Sequence, residues 1–460
     1  MKLTELFPLL VLPLSIVGCN NGPAPTPVNK DYGVATVRLN AISKSSAYTL
    51  PFNYDVAYFS HLATDYDRDL MMLSYGASLS TYSEVSAKAF FNMMFDEVEL
   101  SGYQEITKDS IGIVLAHRVI DDFDLYAITL RGLDYGAEWA NNFDIGSEGN
   151  HHGFTLKAEE VCNRLEVFKN KYHSKEKFKI WLTGYSRGGG VANVTADMIM
   201  RGGMEETDFY VYTFEAPKAI SEDKYVEYHN VINMIDSRDP ITYIAPGKYN
   251  FVRCGVDMDF YDADYRNYIA EFDPTIELKT FTPDSGESPK YTDELSFLEH
   301  VFNSLLAEFV PTSEGDEKFL PGDLSTREHF YNNYQAHIQY LFEFFMALTE
   351  EQMNQLMEFL NTDDNMAAAF FLLATASDAF YNFISPKLDE FGITYDSEKL
   401  LNATIQVGNL IQSHRDLVGE AISLSPAGIN QAFVDNVMCL AMHHYPEIVY
   451  CSLKQFAYSD

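Results

Sequence analysis

The chain places one serine between glycines at the junction of two patterns. Thr183 to Gly190 reads TGYSRGGG, after the lightly charged apolar run KFKIWL and before VANVTADMIM. A serine nucleophile must project from a turn so tight that its neighbours can scarcely carry side chains, and Gly-x-Ser-x-Gly on a strand-to-helix corner supplies that geometry. Ser186 is therefore the candidate nucleophile. At neutral pH its hydroxyl needs a histidine to accept the proton and a carboxylate to fix the histidine tautomer and stabilise the imidazolium. On such an elbow the chain order is serine, acid, histidine. Asp239 fits the acid, since it follows VINMIDSR and precedes Pro240, which holds it in extended or turn backbone at a strand end. Asp236 competes with it but still belongs to the strand pattern. Of the twelve histidines, His444 is the first choice, in AMHHYPEIVYCSLKQF, on a link before a helix that Pro446 can open. His329, in the first turn of a capped helix, His443 and His300 are the alternatives.

These side chains need a rigid frame, and the chain from about residue 31 to 255 supplies the pattern of one. SIGIVLAHRV and DLYAITLRG read as adjacent strands, TLKAEEVCNRLEVFKNKY as a helix, and KFKIWLTG as the next strand. A helix to Met200 and the strands FYVYTFEAP and VINMID follow. Strands alternating with helices imply a mostly parallel sheet covered on both faces. Beyond Gly255 the texture turns to an acidic loop region and then to long helical stretches. STREHFYNNYQAHIQYLFEFFMAL opens with a capping box from Ser325 to Glu328, and further helices are expected around TEEQMNQLMEFL, NMAAAFFLLATASDAFYNFI and SEKLLNATIQVGNLIQSHRDLVGEAI. If His444 completes the site, roughly residues 256–435 form a helical insertion between acid and histidine, at the position of a cap or lid over the active-site end of the sheet.

Several landmarks then occur in order. LRGLDYGAEWANNF carries Arg131, Gly132, Trp139 and Asn142; HHGF runs from His151 to Phe154; the serine elbow runs from Gly184 to Gly188; TFEAP runs from Thr213 to Pro217; and Asp239-Pro240 closes the set. Over about residues 55–255 the chain resembles the class 3 lipase family, that of fungal triacylglycerol lipases and their bacterial relatives. The resemblance implies an α/β-hydrolase fold, with a mostly parallel sheet and a large helical insertion or cap, and cleavage of carboxylic esters through an acyl-enzyme by Ser186, His444 and Asp239. Two positions depart from the family pattern. Tyr185 stands where the family usually has His, and is expected to alter the pocket wall. Leu133 stands where it has Ser or Thr, which leaves an oxyanion hole of two backbone donors, the Leu133 and Arg187 amides. Losing one such donor costs roughly 3 kcal/mol. The rival reading is a non-catalytic lipoprotein that keeps the fold and binds a ligand or partner protein.

Composition narrows the partners. The formal net charge of -35 repels phosphate backbones, which argues against nucleic acid and against adsorption to anionic lipid. Lys2, the apolar run from Leu6 to Val17 and the closing Ile16-Val17-Gly18-Cys19 read as a secretory signal too short to span a bilayer. The cysteine after a small residue resembles the lipobox of bacterial lipoproteins, so Cys19 is the expected acylation site. The organisation expected is a signal at 1–19, a proline-rich tether at 20–32, the core at 33–255, the insertion at 256–435 and a return to the core at 436–460. The expected location is exported, on the periplasmic or cell-surface side of a bacterial membrane. The remaining Cys162, Cys254, Cys439 and Cys451 are too few for a disulfide scaffold, though Cys439 and Cys451 could pair. No spacing matches a zinc site, and the run Asp257, Asp259, Asp262, Asp264 lacks the glycine and glutamate of a calcium loop and reads as a solvated loop. No metal or cofactor is implied.

Overall fold

The computed structural model describes residues 29–40, 47–104, 107, 109–132, 138–245, 249–261, 269, 278–305, 327–360, 363–414, 417, 420 and 430–458. The signal segment with Cys19, most of the tether, Leu133, Ser325, Asp262 and Asp264 lie outside them. The described residues fall into two compact units, one made of 139–148 with 279–441, the other of the rest.

The larger unit is built on a sheet. An antiparallel pair, β1 (Tyr32–Asn40) and β2 (Ala47–Asp55), precedes two helices, α1 (Arg68–Ser80) and α2 (Glu84–Asn92). Then come β3 (Glu97–Ser101), β4 (Ile113–Ile120), β5 (Phe123–Leu130), α3 (His152–Tyr172), β6 (Lys177–Tyr185), α4 (Arg187–Arg201), β7 (Phe209–Phe214), β8 (Val231–Ile235) and β9 (Val256–Asp259). The seven strands β3 to β9 lie side by side in chain order, antiparallel from β3 to β5 and parallel from β5 onward. This is the α/β-hydrolase architecture, a mostly parallel sheet with helices on both faces.

The period of two along each strand divides the core between those faces. Leu125 and Ala127 of β5, Trp181 and Tyr185 of β6, and Tyr210, Tyr212 and Phe214 of β7 pack toward α1, α2, the β1–β2 pair and the final helix, Pro446–Tyr458. Tyr126, Ile128, Ile180, Leu182, Phe209 and Val211 face the opposite way, toward α3 and α4. α1 is buried almost all round, which is why its sequence shows little amphipathic contrast. It is capped by Asp67, whose carboxylate accepts the Asp69 and Leu70 amides at 2.8 and 3.0 Å. Trp181, fully buried, donates its indole N–H to Ser74 Oγ of α1 at 2.8 Å, tying the nucleophile's strand to that helix.

The sheet runs past Gly255, where the sequence pattern ended the core, because Val256 pairs with Ile232 and Asp259 with Ile235. Half of the acidic run is thus edge strand rather than loop. Asp257 accepts from Arg253 and Asn233, and Asp259 accepts the Ser237 and Tyr261 amides.

The second unit is helical: Glu294–Leu305, Arg327–Phe330 running through a wide π turn into Ala336–Met346, Glu350–Leu360, Asp363–Leu373, Ala379–Glu390, Ser397–Ser413 and Gln431–Met442. Phe344, Leu356, Ile384, Leu388, Ile393 and Leu400 form its core. The stretch NMAAAFFLLATASDAFYNFI makes two helices, broken near Ala376, which has a positive φ of 48°. Residues 139–148, which the sequence pattern assigned to the core, join this unit. Arg327 binds the Gly146, Ile145 and Glu148 carbonyls at 2.8, 2.6 and 2.8 Å, and Gln335 donates to Asp144 at 2.9 Å. None of the described cysteines, Cys439 and Cys451 included, is in a disulfide.

Candidate active site

The elbow is strained in the way its sequence requires. Ser186 sits between β6 and α4 at φ 57° and ψ −131°, a region that costs an L-residue about 1–3 kcal/mol and persists where the surroundings enforce it. Enforcement comes from Ser186 N–H, which donates to Phe214 O at 2.8 Å, and from the glycines on either side. A Cβ on Gly184 would stand 2.3 Å from the Gly188 carbonyl oxygen, and one on Gly188 would stand 2.4 Å from the Leu130 carbonyl oxygen. Neither position can hold a side chain, so both glycines are required by close backbone approach.

His444 lies on the short link before the final helix, and its Nε2 is 2.8 Å from Ser186 Oγ. Its Nδ1 is 2.5 Å from Asp239 Oδ2. With Nδ1–H donating to the carboxylate, Nε2 is left with its lone pair toward the serine hydroxyl, the tautomer a general base needs. Asp239 follows β8 and caps the short turn Pro240–Tyr243, its Oδ1 accepting the Ile241 amide at 2.8 Å. All three residues are buried. Arg187 opens α4, where a backbone N–H has no intrahelical acceptor, so its amide is free to face a developing oxyanion. Leu133, the other expected donor, lies outside the described residues.

The alternatives fall elsewhere. His443 turns its Nδ1 to Asp236 Oδ2 at 3.0 Å, and Asp236 is also held by Arg238 through Nε and Nη2 at 2.8 and 2.7 Å. Burial alone would raise the Asp236 pKa; hydrogen bonds from His443 and Arg238 outweigh it and hold the carboxyl at about 2. Two adjacent histidines thus dock on two acids three residues apart. His300 pairs with Glu420 at 2.9 Å within the helical unit. His329 lies in Arg327–Phe330, with its side chain outside the described residues.

Tyr185 has a different role from the one expected of it. Strand alternation points it inward with Trp181 rather than into a pocket wall, and it is fully buried. Its ring stacks on the His444 imidazole, centroids 5.1 Å apart at 17°, and its hydroxyl donates to the His444 carbonyl. The residue before the nucleophile therefore supports the histidine from beneath. The period of two along KFKIWLTGY was the available signal for this. Behind the elbow, Arg131 and Arg187 converge on buried Glu138, at 2.8 and 3.7 Å, and Arg187 also donates to Ser110 O at 3.1 Å.

A strand-to-helix elbow with a serine, histidine and aspartate in line can carry acyl transfer. Residues 127–249 match the family model for lipase (class 3). That lipase-type segment holds Ser186 and Asp239 and stops far short of His444. Among solved structures, lipase II from Rhizopus niveus is similar at 14% identity, over 42% of this chain and 80% of its own, with a TM-score of 0.33. The triacylglyceride lipase of Rhizomucor miehei is similar at 17% identity, over 43% of this chain and 82% of its own, with a TM-score of 0.33. The lipase from Rhizopus microsporus var. chinensis is similar at 14%, over 42% and 74%, again with a TM-score of 0.33. At such scores the architecture rests on the strand order described above. No curated protein sequence matches the chain significantly.

Proposed function

We propose that the protein is a serine hydrolase that cleaves carboxylic esters, lipase or esterase in type, through an acyl-enzyme. The observation that carries this reading is the unbroken line from Ser186 Oγ through the His444 ring to Asp239, set on an elbow whose glycines admit no side chain. Ser186 Oγ attacks the ester carbonyl as His444 Nε2 takes its proton; Asp239 keeps the ring in the required tautomer and balances the imidazolium. The tetrahedral oxyanion is held by the Arg187 and Leu133 amides, and the imidazolium returns its proton to the leaving alcohol. Water, deprotonated by the same nitrogen, then releases the acid. These steps call for no cofactor.

The substrate class follows from charge. A surface with a net charge of -35 is repelled by anionic headgroups and tolerates neutral ones, so acylglycerols are the proposed substrates. The mature protein, presented with neutral acylglycerol emulsion and with anionic phospholipid vesicles, is expected to turn over the emulsion faster. Preferential hydrolysis of the anionic vesicles contradicts this.

We also propose export and anchoring through acylated Cys19 on the periplasmic or cell-surface side of a bacterial membrane, supported by the apolar run that ends in Gly18-Cys19. Palmitate label incorporated by the full chain in a bacterial host is expected to vanish in Cys19→Ser. Label that survives the substitution excludes Cys19 as the anchor.

A further inference from the structure

Glu215, which no step above uses, lies beside both histidine-paired acids. It directly follows β7, is completely buried, and has a φ of 45°, a left-handed conformation that costs a non-glycine residue about 1–2 kcal/mol. Its backbone is pinned there by Glu215 N–H donating to Met234 O at 2.9 Å. A glycine would take that conformation without strain, so the site holds a carboxyl at some cost, which makes it a candidate for a functional part.

The carboxyl's surroundings define its state. Oε2 accepts the Asp236 amide at 3.1 Å. Oε1, buried, meets no donor among the described residues, while the Asp239 carboxyl lies within hydrogen-bond reach. No cation among the described residues pairs with Glu215: Arg238 and His443 are engaged by Asp236, and His444 by Asp239. The other titratable groups facing it, Tyr75 of α1 and Tyr185 of β6, are buried phenols. Two carboxyls that meet away from water cannot both be charged. Asp239 is hydrogen-bonded to the imidazole through Oδ2 and Glu215 has no such partner, which places the proton on Glu215. Burial first, then the Asp239 and Asp236 charges, push the Glu215 carboxyl well above its ordinary range.

We propose that Glu215 is a positioning residue, a fourth member of the constellation whose neutral carboxyl donates a hydrogen bond to the Asp239 carboxylate. The proposal rests on Ser186, His444 and Asp239 forming the working triad. Its consequence is electrostatic as well as geometric. An ionised Glu215 would add a second negative charge beside the imidazolium and make a protonated ring harder to discharge; a neutral one orients Asp239 without adding that charge.

The test pairs a spectrum with kinetics. Infrared difference spectra of the unmodified protein against Glu215→Gln at pH 7 are expected to show the C=O stretch of a protonated carboxyl that the substitution removes. Glu215→Leu, which fills the space without a donor, is expected to lower kcat on a short nitrophenyl ester by about 10- to 100-fold, the range usual for groups that orient a catalytic ligand, with KM nearly constant. Glu215→Gln, which keeps a neutral donor, should recover most of that loss, with the acid limb of its pH–rate profile where the unmodified protein has it. Absence of the carboxyl band, an acid limb displaced downward by about one pH unit in Glu215→Gln, or a Glu215→Leu as active as the parent overturns the proposal. If Glu215→Leu does not fold, the band and the Gln profile decide. An unmodified protein without esterase activity defeats the triad reading instead, whereas an active one that lacks the band defeats only the role of Glu215.

Discussion

Ser186→Ala is expected to lower kcat on a short-chain nitrophenyl ester by about 10⁶-fold, and His444→Ala by a similar factor, while the double variant is no worse than either. The physical reason is that the two side chains act as one device. With Oγ and Nε2 2.8 Å apart, removing the serine leaves a base with nothing to deprotonate, and removing the histidine leaves a hydroxyl too weakly acidic to attack. Steady-state kinetics on the three variants, with His329→Ala as a control expected to stay within about twofold, measure it. Additive losses in the double variant mean that the two residues do not share a step. A loss under about tenfold in Ser186→Ala removes Ser186 as the nucleophile.

The second large effect belongs to Asp239. Asp239→Asn is expected to reduce kcat by about 10⁴-fold with KM nearly unchanged. The hydrogen bonds specify why. Oδ1 is already taken by the Ile241 amide at 2.8 Å, so an asparagine would keep its carbonyl there and turn its NH2 toward His444 Nδ1. Nδ1 then has to accept, the ring proton moves to Nε2, and no lone pair faces the serine. Asp236→Asn makes the contrast. It breaks the buried pairing with Arg238 and His443, which costs about 3–5 kcal/mol of stability, yet leaves the line to Ser186 intact. Thermal unfolding and kcat, measured on both variants, should therefore move in opposite proportions. An Asp236→Asn that loses catalysis while Asp239→Asn keeps it assigns the acid to the competing position.

How legible this was in the sequence depends on whether the cause is local. The elbow is legible because Gly184 answers to the Gly188 backbone four residues on, although Gly188 itself is pressed by Leu130 of the neighbouring strand. Asp239 is legible because proline fixes the conformation before it, and His444 because Pro446 opens the helix just after it. The sheet announced itself through strands alternating with helices. What could not be read depends on residues that meet only in space. Residues 139–148 join the helical unit because Arg327 and Gln335, far along the chain, take their carbonyl and carboxylate oxygens. β9 hid behind its aspartates, since an edge strand with alternating acids looks like a solvated run. Glu215 showed nothing in TFEAP, because its state is set by Asp236 and Asp239, which reach it from the end of the neighbouring strand. Tyr185 lies between the cases: the alternation of β6 gives its direction, but the imidazole it supports arrives from the link before the last helix.

Covalent labelling reports most directly whether Ser186 is a nucleophile activated by His444. The protein without its signal segment is treated with a fluorophosphonate probe, with detergent included to open any lid, and the adduct is mapped by peptide mass. A single adduct is expected on Ser186 in the parent and in His329→Ala, and none in His444→Ala. An unlabelled Ser186 in the parent, or labelling that survives His444→Ala and disappears with His329→Ala, contradicts it.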